Sequence, residues 1–520
     1  MRPPSARPHS GRVRPVLQVK VPGGPDRPPC GRLAALAALV AVAGCTVGPR
    51  FVAPTAPRTD AYTPARTAPQ LDAGPGEPGQ RLSIGRAPSP AWWERFGSPT
   101  IDALVRRALA HNPTLDAARA TLAQAEQVVR ETRAGLYPQI DFGATAQRQK
   151  GPAFALGLLP RGSGLPQYDL YSVGPTVRFA PDVFGLNAHR IEEREALADV
   201  QREQVAAAVL AITGNTVTAA LDLAALHTQI EAIRRIVADD ERALALARHR
   251  FSVGRAARTD VLIAEARLAS DRARLPGFRR RLAATEDALA VLLGESPAQW
   301  TPPAFDLSAV RLPTDLPLVL PSRLVRRRPD ILASESIVHA RSAAVGIATG
   351  ELVPQIEISG AFGTSALAAR SLFGPTSAVW SIAAGLSAPV FHGGALEAQR
   401  RAAVEALRAS LAMYRATVLA AFGQVADTLR SLGDDAAQVR AAHRALAVGL
   451  ASLRIQRARF AAGRIDRTRL IDAERTVEDA RVDYTEAIAE REIDSARLFV
   501  ALGGAAPADR ASPLSGALPR

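Results

Sequence analysis

Residues 248–259 (RHRFSVGRAART) and residues 457–468 (RARFAAGRIDRT) repeat one pattern 209 positions apart. Each stretch places a glycine, Gly254 or Gly463, among arginines and next to long proline-free sequence. Glycine often ends a helix in a left-handed turn, because it adopts positive φ without the steric cost of a Cβ. The pattern therefore predicts two equivalent helix–turn–helix units in one chain.

A second internal match supports the duplication. Residues 112–140 align without a gap with residues 328–356, and both blocks end in Leu-x-Pro-Gln-Ile. Proline is also absent from two stretches that each exceed 90 residues. Gaps of this length predict continuous helix, and apolar steps of three and four residues along them are typical of a coiled coil. We expect long helices at about residues 187–250 and 395–462.

Short segments of a different character interrupt these helices. Residues 139–149, 168–180, 355–365 and 378–387 mix alternating apolar and polar residues with glycine. Each is close to the ~9–11 residues of a tilted barrel strand, and small-residue loops join them into two hairpins. The expected fold is mainly α with a small β part, in two tandem repeats of helix, β-hairpin, long helix and helix. Two strands cannot close a sheet alone, which predicts oligomerisation about an axis.

Composition excludes several function classes. The 520 residues include 64 Lys+Arg against 50 Asp+Glu, and only Lys20 and Lys150 are lysine. Neither lysine stands in a phosphate-binding loop, two cysteines cannot form a thiolate zinc site, and the eight histidines lack metal-ligand spacing. We expect no enzyme activity, no catalytic metal and no cofactor. No run reaches the ~18 apolar residues of a membrane-spanning helix, so any bilayer crossing must use another structure.

The N-terminus has the layout of an export signal. Seven positive side chains precede an apolar stretch at residues 33–43, and small residues follow directly before Cys45. This arrangement is similar to the bacterial lipobox, in which the cysteine takes a lipid; the alternative is an ordinary secretory signal with an incidental cysteine. We expect a lipoprotein signal peptide at residues 1–44. Residues 45–91, rich in proline and small residues, are expected to form an extended, lipid-anchored tether.

Several motifs resemble the TolC-like outer-membrane efflux family, and in particular its NodT-type lipoprotein subgroup. They are Cys45-Thr46-Val47-Gly48-Pro49, Trp92-Trp93 before Phe96, Leu-x-Pro-Gln-Ile in both repeats, and Leu470-Ile471-Asp472-Ala473-Glu474-Arg475. The resemblance covers residues 45–504. It implies a homotrimer, lipid-anchored in the outer membrane, with four strands per chain closing a twelve-stranded barrel and long helices forming a tunnel through the periplasm.

The resemblance also implies a function and partners. The channel would passively conduct drugs or other small molecules, delivered by a periplasmic adaptor protein and an inner-membrane pump, commonly of the resistance-nodulation-division class. The first repeat would occupy residues 92–310 and the second repeat residues 311–504, with a C-terminal tail at residues 505–520. For Trp92 and Trp93 we favour a core position over the membrane belt.

The glycine turns are the first candidate site. The resemblance implies that they form the periplasmic tip and contact the adaptor through Gly254, Arg255, Arg258, Gly463, Arg464 and Arg467. The alternative is a structural turn without a partner. Arginines near it could also serve only as end charges, since a cation complements the dipole at a helix C-terminus.

Asp472 is the second candidate site, because the resemblance implies that it lines the periplasmic gate. Three symmetric copies at a constriction would attract cations and oppose anions. Arg469 replaces a second aspartate of some relatives, and pairing with Asp472 at i, i+3 would weaken cation selectivity. In the first repeat the equivalent positions hold Ile263 and Asp260, so the repeats differ electrically. The alternative is an exposed aspartate near a helix start.

Two other function classes are possible on the sequence alone. A periplasmic adaptor lipoprotein would also be exported and contain a coiled-coil hairpin, but two repeats that each carry a β-hairpin argue against it. An arginine-rich coiled coil that binds nucleic acid would fit the basic balance. The signal sequence and the acidic residues along both long helices argue against that class, and we expect no nucleic-acid partner.

Overall fold

The structure of the protein, a computed structural model, describes residues 46–57, 59–64, 69–74, 78–150 and 167–504. The expected signal peptide, Cys45, the C-terminal tail and most of the loop of the first hairpin lie outside these ranges.

The described residues form eight α-helices and seven β-strands. In chain order they are β1 (Gln70–Leu71), β2 (Gln80–Ile84), α1 (Pro99–His111), α2 (Pro113–Ala134), β3 (Gln139–Gln149), β4 (Tyr168–Phe179), α3 (Leu186–Ser252), α4 (Arg258–Leu292), β5 (Asp315–Leu318), α5 (Pro321–Leu324), α6 (Pro329–Gly350), β6 (Gln355–Ala366), β7 (Ala378–Ser387), α7 (Ala395–Ala461) and α8 (Arg467–Ala501). Short 3₁₀ helices span Trp92–Phe96, Leu307–Ala309 and Ala369–Ser371.

Equal helix lengths confirm the duplication and the expected fold class. The long helices α3 and α7 both have 67 residues, and the helices after the glycine turns, α4 and α8, both have 35. The helices that precede the two hairpins, α2 and α6, both have 22 residues. The expected bounds of the long helices and of the four hairpin strands agree with the structure to within two residues.

The two repeats pack against each other along their helices. Helix α3 contacts α4, α6 and α8, while α7 contacts α6 and α8. Among the described helices α3 alone is long and apolar enough to cross a membrane, with a window of mean hydropathy 1.5, but 61% of that window is buried inside the protein. Its apolar residues therefore face neighbouring helices, as in the core helix of a large helical protein.

Trp92 anchors the segment before α1 in the main core. Its side chain is 1% exposed and stacks on Phe499 of α8, with ring centroids 5.1 Å apart. Trp93 is half-buried and packs against the same cluster. The preference for a core position over the membrane belt is confirmed.

A small sheet holds part of the N-terminal segment, within the residues expected to form an extended tether. Strand β2 pairs antiparallel with β1 and parallel with β5, which lies in the second repeat. Leu71 and Leu82 are buried against the core, and Gln80 is 1% exposed. The few apolar residues between the prolines are thus sufficient to bury a strand when a partner edge is supplied from more than 200 residues away.

The two hairpins join into one antiparallel sheet of order β3-β4-β6-β7. At the seam between the repeats, a Cβ on Gly174 would collide with the backbone of Phe362 and Gly363, and one on Gly363 with the backbone of Val173 and Gly174. The facing glycines therefore permit a close approach of β4 and β6 that larger residues would block.

Candidate functional site

Both expected glycine turns are present, and they have the same hydrogen bonds. Gly254 has φ +71° and Gly463 has φ +67°. In the first turn the N–H of Arg255 donates to the carbonyl of Arg250 at 2.7 Å, and the N–H of Gly254 to the carbonyl of Phe251 at 3.0 Å. The second turn repeats both bonds at 2.8 and 2.9 Å. This is the Schellman arrangement, which satisfies the last carbonyls of α3 and α7.

The arginines of the turns differ in their surroundings. Arg255, Arg258 and Arg464 are exposed to solvent. Arg467 is half-buried, and its guanidinium carbon lies 5.5 Å from the centre of the Phe460 ring, within range of a cation–π contact. Three arginines of the turns thus present positive charge to solvent. The fourth, Arg467, contacts the ring of Phe460 in its own turn.

The turns of the two repeats are joined by an ion pair. Arg250, at the end of α3, donates to Oδ2 of Asp466 at 2.9 Å and to Oγ1 of Thr468 at 3.2 Å. Asp466 also caps α8 by accepting from the backbone N–H of Arg469 at 3.0 Å. That N–H, together with Arg250, holds the pKa of Asp466 below its ordinary value.

Asp472 forms an ion pair with a residue of the other repeat, and not with one of its own helix. Nη1 of Arg267 in α4 donates to Oδ1 of Asp472 in α8 at 2.7 Å, and both side chains are about half exposed. The expected i, i+3 partner, Arg469, is therefore not the ion-pair partner that the structure gives Asp472. The reason is that the side chain of Arg267 reaches the same carboxylate from the other repeat.

The same cross-repeat contact recurs one heptad further along both helices. Nη1 of Arg274 donates to Oδ1 of Asp479 at 3.1 Å, and the two pairs have the same residue separation of 205. Arginines spaced by seven on α4 thus pair with aspartates spaced by seven on α8. Heptad-spaced opposite charges were the sequence signal for this contact, which our sequence interpretation missed.

A buried cluster of charges lies farther from the turns. Asp240 of α3 and Asp271 of α4 are 3% and 2% exposed, and Arg475 of α8 reaches both carboxylates, at 3.7 and 2.6 Å. Burial, and then the neighbouring Asp271, raises the pKa of Asp240 to about 6. Burial also acts to raise the pKa of Asp271, but hydrogen bonds with Asp240 and Arg274 outweigh it and lower that pKa. One arginine therefore links two helices of the first repeat to the second repeat.

The four-stranded sheet has two different faces. Aligned positions on one face carry apolar side chains, among them Ile140, Val177, Phe362, Trp380, Ile382 and Leu386. The opposite face carries polar and small side chains, among them Asp141, Thr145, Arg178, Ser359 and Ser381, with Arg178 and Asp141 paired at 2.7 Å. Ile382 is 77% exposed, and Trp380 is 74% exposed. An exposed apolar face backed by a polar face is the alternation of a membrane β-barrel.

The start of the described chain packs where the sheet meets the helices. The N–H of Val47 donates to the carbonyl of Phe184, between β4 and α3, at 3.1 Å. Phe51 stacks on His339 of α6 with ring centroids 4.1 Å apart. Cys45, the expected lipidation residue, lies outside the described residues.

Comparisons with known proteins cover nearly the whole of this architecture. Residues 104–295 and 320–504 match the family model described as outer membrane efflux protein. Outer membrane protein OprJ of Pseudomonas aeruginosa is 28% identical over 484 residues, covering 92% of this chain and 96% of OprJ. The toluene efflux pump outer membrane protein TtgF of Pseudomonas putida is 26% identical, with coverages of 90% and 96%. The solved structure of the outer-membrane channel OprN is 26% identical, has a TM-score of 0.76 and covers 88% of this chain and 99% of that one.

Proposed function

This chain belongs to the outer membrane efflux protein family, and from that membership we propose that three copies assemble into one passive exit duct. The resemblance inferred from the sequence is confirmed, and the protein is an outer-membrane efflux channel. This function replaces the two alternatives, a periplasmic adaptor and a nucleic-acid-binding coiled coil.

The observation that carries the proposed assembly is the two-faced sheet with open edges. Strands β3 and β7 are its edge strands, and neither has a second neighbour within the described residues. An open edge in a bilayer would leave backbone hydrogen bonds unmade at a cost of several kcal/mol each, so β7 of one copy must pair with β3 of the next. Three copies would close twelve strands, with the apolar face toward lipid.

The length of the proposed duct follows from its long helices. At 1.5 Å per residue, a helix of 67 residues extends on the order of 100 Å, which exceeds a bilayer several-fold. Chain connectivity places the sheet at the N-terminal ends of α3 and α7 and the glycine turns at their C-terminal ends. We infer that the helices extend into the periplasm and that the turns form the tip.

At this tip we assign docking and gating to different residues. The exposed Arg255, Arg258 and Arg464, with Arg467, would contact a periplasmic adaptor of complementary charge at Gly254 and Gly463, and an inner-membrane pump, of the resistance-nodulation-division class, would supply the driving force. Asp472, repeated three times, would line the gate, with Arg469 beside it. The cross-repeat pair between Arg267 and Asp472 would hold the tip closed until the adaptor separates the helices.

Lipidation of Cys45 would anchor the chain to the outer membrane. This role is supported by Val47, which packs against the backbone between β4 and α3, close to where the sheet begins. Val47 thus lies at the end of the helices that we assign to the membrane.

Two neighbouring residues of β7 provide a matched test of the assembly. Ile382 lies on the apolar face and Ser381 on the polar face. Arginine at a lipid-facing barrel position costs about 2–4 kcal/mol near the bilayer centre, whereas a lumen-facing position tolerates it. We expect Ile382→Arg to deplete the trimer from the outer-membrane fraction and Ser381→Arg to leave it in place, with trimer mass measured by light scattering in detergent. A monomer in wild-type extracts, or equal depletion by both variants, would refute the proposed barrel.

A further inference from the structure

A cavity of about 410 Å³ lies beside the three-stranded sheet. Its walls come from the N-terminal segment at Pro78, α3 at Thr228, the connection at residues 306–312, α7 at Val439 and one face of α8. None of the turn or gate residues lines it, and neither does the four-stranded sheet. The cavity is therefore separate from the features assigned to the exit duct, and its volume is in the ~300–1,000 Å³ range of small-molecule sites.

Glu492 of α8 lines this cavity, and one of its carboxyl oxygens lacks a hydrogen-bond partner in the part of the chain that the structure describes. The residue is 3% exposed, and its Oε2 atom is buried with no hydrogen-bond partner among the described residues. Burial raises the pKa of Glu492 to about 8. A buried carboxyl oxygen without a partner is costly, so a group that donates a hydrogen bond to it, above all a charged group, would be held there.

The adjacent Arg491 does not supply that missing partner. Its side chain is buried, and Nε donates to Oε1 of Gln80 at 3.0 Å, while Nη2 is directed toward the carbonyl of Leu71 at 3.4 Å. Its charge attracts the Glu492 carboxylate, but the guanidinium is oriented by these contacts with β1 and β2. Arg491 therefore also lines the cavity, but its hydrogen bonds secure the N-terminal strands.

The acidic groups around Arg491 determine the charge of a fitting ligand. Asp435 of α7 is buried near Arg491, and burial together with Asp494 raises the pKa of Asp435 to about 7. Asp306 adds a further carboxylate at the cavity wall. Above pH 8, where Asp435 and Glu492 are ionised, several carboxylates share one buried guanidinium, so an additional anion would meet repulsion and a cation would be attracted.

We propose that this cavity binds a small organic cation with an apolar body, such as a protonated primary amine, with its charged end on Glu492. The ammonium would donate to Oε2 of Glu492. The apolar body would lie against Val310, Val439 and Ile488, which line the same space. A ligand held there would connect the N-terminal segment, α3, α7 and α8, and would act from outside the proposed exit path.

Isothermal titration calorimetry on the purified full-length protein in detergent at about pH 8.5, above the pKa of about 8 of Glu492 and below the pKa of a primary amine, tests the proposal with three probes of one size. They are benzylamine, a cation; benzyl alcohol, which is neutral; and benzoate, an anion. A charge-assisted hydrogen bond contributes about 1.5–3 kcal/mol, so benzylamine should bind roughly 10- to 100-fold more tightly than benzyl alcohol, and benzoate more weakly than either. Tighter binding of benzoate than of benzylamine, or no binding of any probe, would overturn the assignment.

Three variants locate the binding. Glu492→Gln should weaken benzylamine at least about tenfold and leave benzyl alcohol unchanged, because it removes the charge and keeps the shape. Glu490→Gln, at an exposed carboxylate on the same helix, should leave both affinities unchanged. Ile488→Trp should abolish binding by filling the cavity, which keeps the test decisive if Glu492→Gln does not fold. Equal benzylamine affinity in wild type and Ile488→Trp would place binding elsewhere and refute the site.

Discussion

Arg267 in the first repeat donates a hydrogen bond to Asp472 in the second repeat at 2.7 Å, and this contact connects the two helices that follow the glycine turns. Both side chains are half exposed, and an isolated pair of this kind contributes only about 0–1 kcal/mol. Here it is one of a series, with Arg250–Asp466 nearer the turns and Arg274–Asp479 one heptad farther away. Several weak, salt-sensitive contacts are suited to a closure that a docking partner must reverse.

Removing the guanidinium of this pair should loosen the closed tip. We expect Arg267→Gln to increase the open probability of single channels in planar bilayers. Arg272→Gln is the matched control, because Arg272 forms an equally exposed pair with Glu241 between α4 and α3 of the same repeat. Opening by both variants to the same extent would mean that general helix loosening, and not the cross-repeat pair, controls the tip.

Removing Arg475 should destabilise the protein much more than removing an exposed arginine. Arg475→Met leaves Asp240 and Asp271 facing each other in a buried site, and loss of one partner of a buried pair costs roughly 3 kcal/mol. The loss should be smaller at pH 5 than at pH 8, because protonation of Asp240, whose pKa is already raised to about 6, relieves the repulsion. Thermal unfolding midpoints at both pH values, beside Arg272→Gln, measure this; a pH-independent loss would exclude carboxylate repulsion as its cause.

The buried Glu492 should make stability fall as pH rises. Its folded pKa of about 8 lies above the ordinary glutamate value, so between pH ~4.5 and ~8 the unfolded state has lost a proton that the folded state retains. Each pH unit in that window costs the folded state up to about 1.4 kcal/mol. Glu492→Gln should therefore unfold at a higher temperature than wild type at pH 8 and at a similar one at pH 4.5. The exposed control Glu490→Gln should show no such trend, and a parallel pH profile for Glu492→Gln and wild type would contradict the raised pKa.

The turn glycines should resist substitution where a helical glycine does not. Gly254→Ala forces a Cβ into the left-handed region at φ +71°, at a cost of about 1–2 kcal/mol. Gly277, inside α4, has no atoms within 4 Å of an added Cβ, and alanine there should stabilise the helix by up to about 1 kcal/mol. Limited trypsin digestion should cleave at Arg255 faster in Gly254→Ala than in wild type, and no faster in Gly277→Ala. Faster cleavage in both would show that the turn conformation is not the determinant.

Features that repeat in the chain could be predicted from the sequence, and features that join distant segments could not. The helix and strand bounds followed from proline gaps, alternation and the internal match, each of which depends on local residues. Strand β2 was missed because five residues among prolines carry little signal, and its partner β5 lies more than 200 residues away. The Arg267–Asp472 pair was missed for a similar reason, since the i, i+3 rule looks only along one helix and Arg469 offered an adequate local partner.

The burial of charged side chains was the feature that could be predicted least well from the sequence. Asp240, Asp271 and Glu492 look like ordinary surface acids in helices rich in Arg, Asp and Glu. Only packing of α8 against the first repeat and the N-terminal segment buries them. Gly254 and Gly463, in contrast, were predictable because positive φ restricts the residue type itself.

Ion conduction by the purified protein in planar bilayers, compared for wild type and Asp472→Ala, shows whether Asp472 lines the gate of an exit duct. The wild type should insert as a discrete channel with a preference for cations, which three copies of Asp472 would impose. Asp472→Ala should shift the reversal potential in a salt gradient toward anions, because it removes the carboxylates and leaves Arg267 without its partner. A wild type without conductance would exclude an exit duct, and an unchanged selectivity and conductance in Asp472→Ala would exclude Asp472 from its gate.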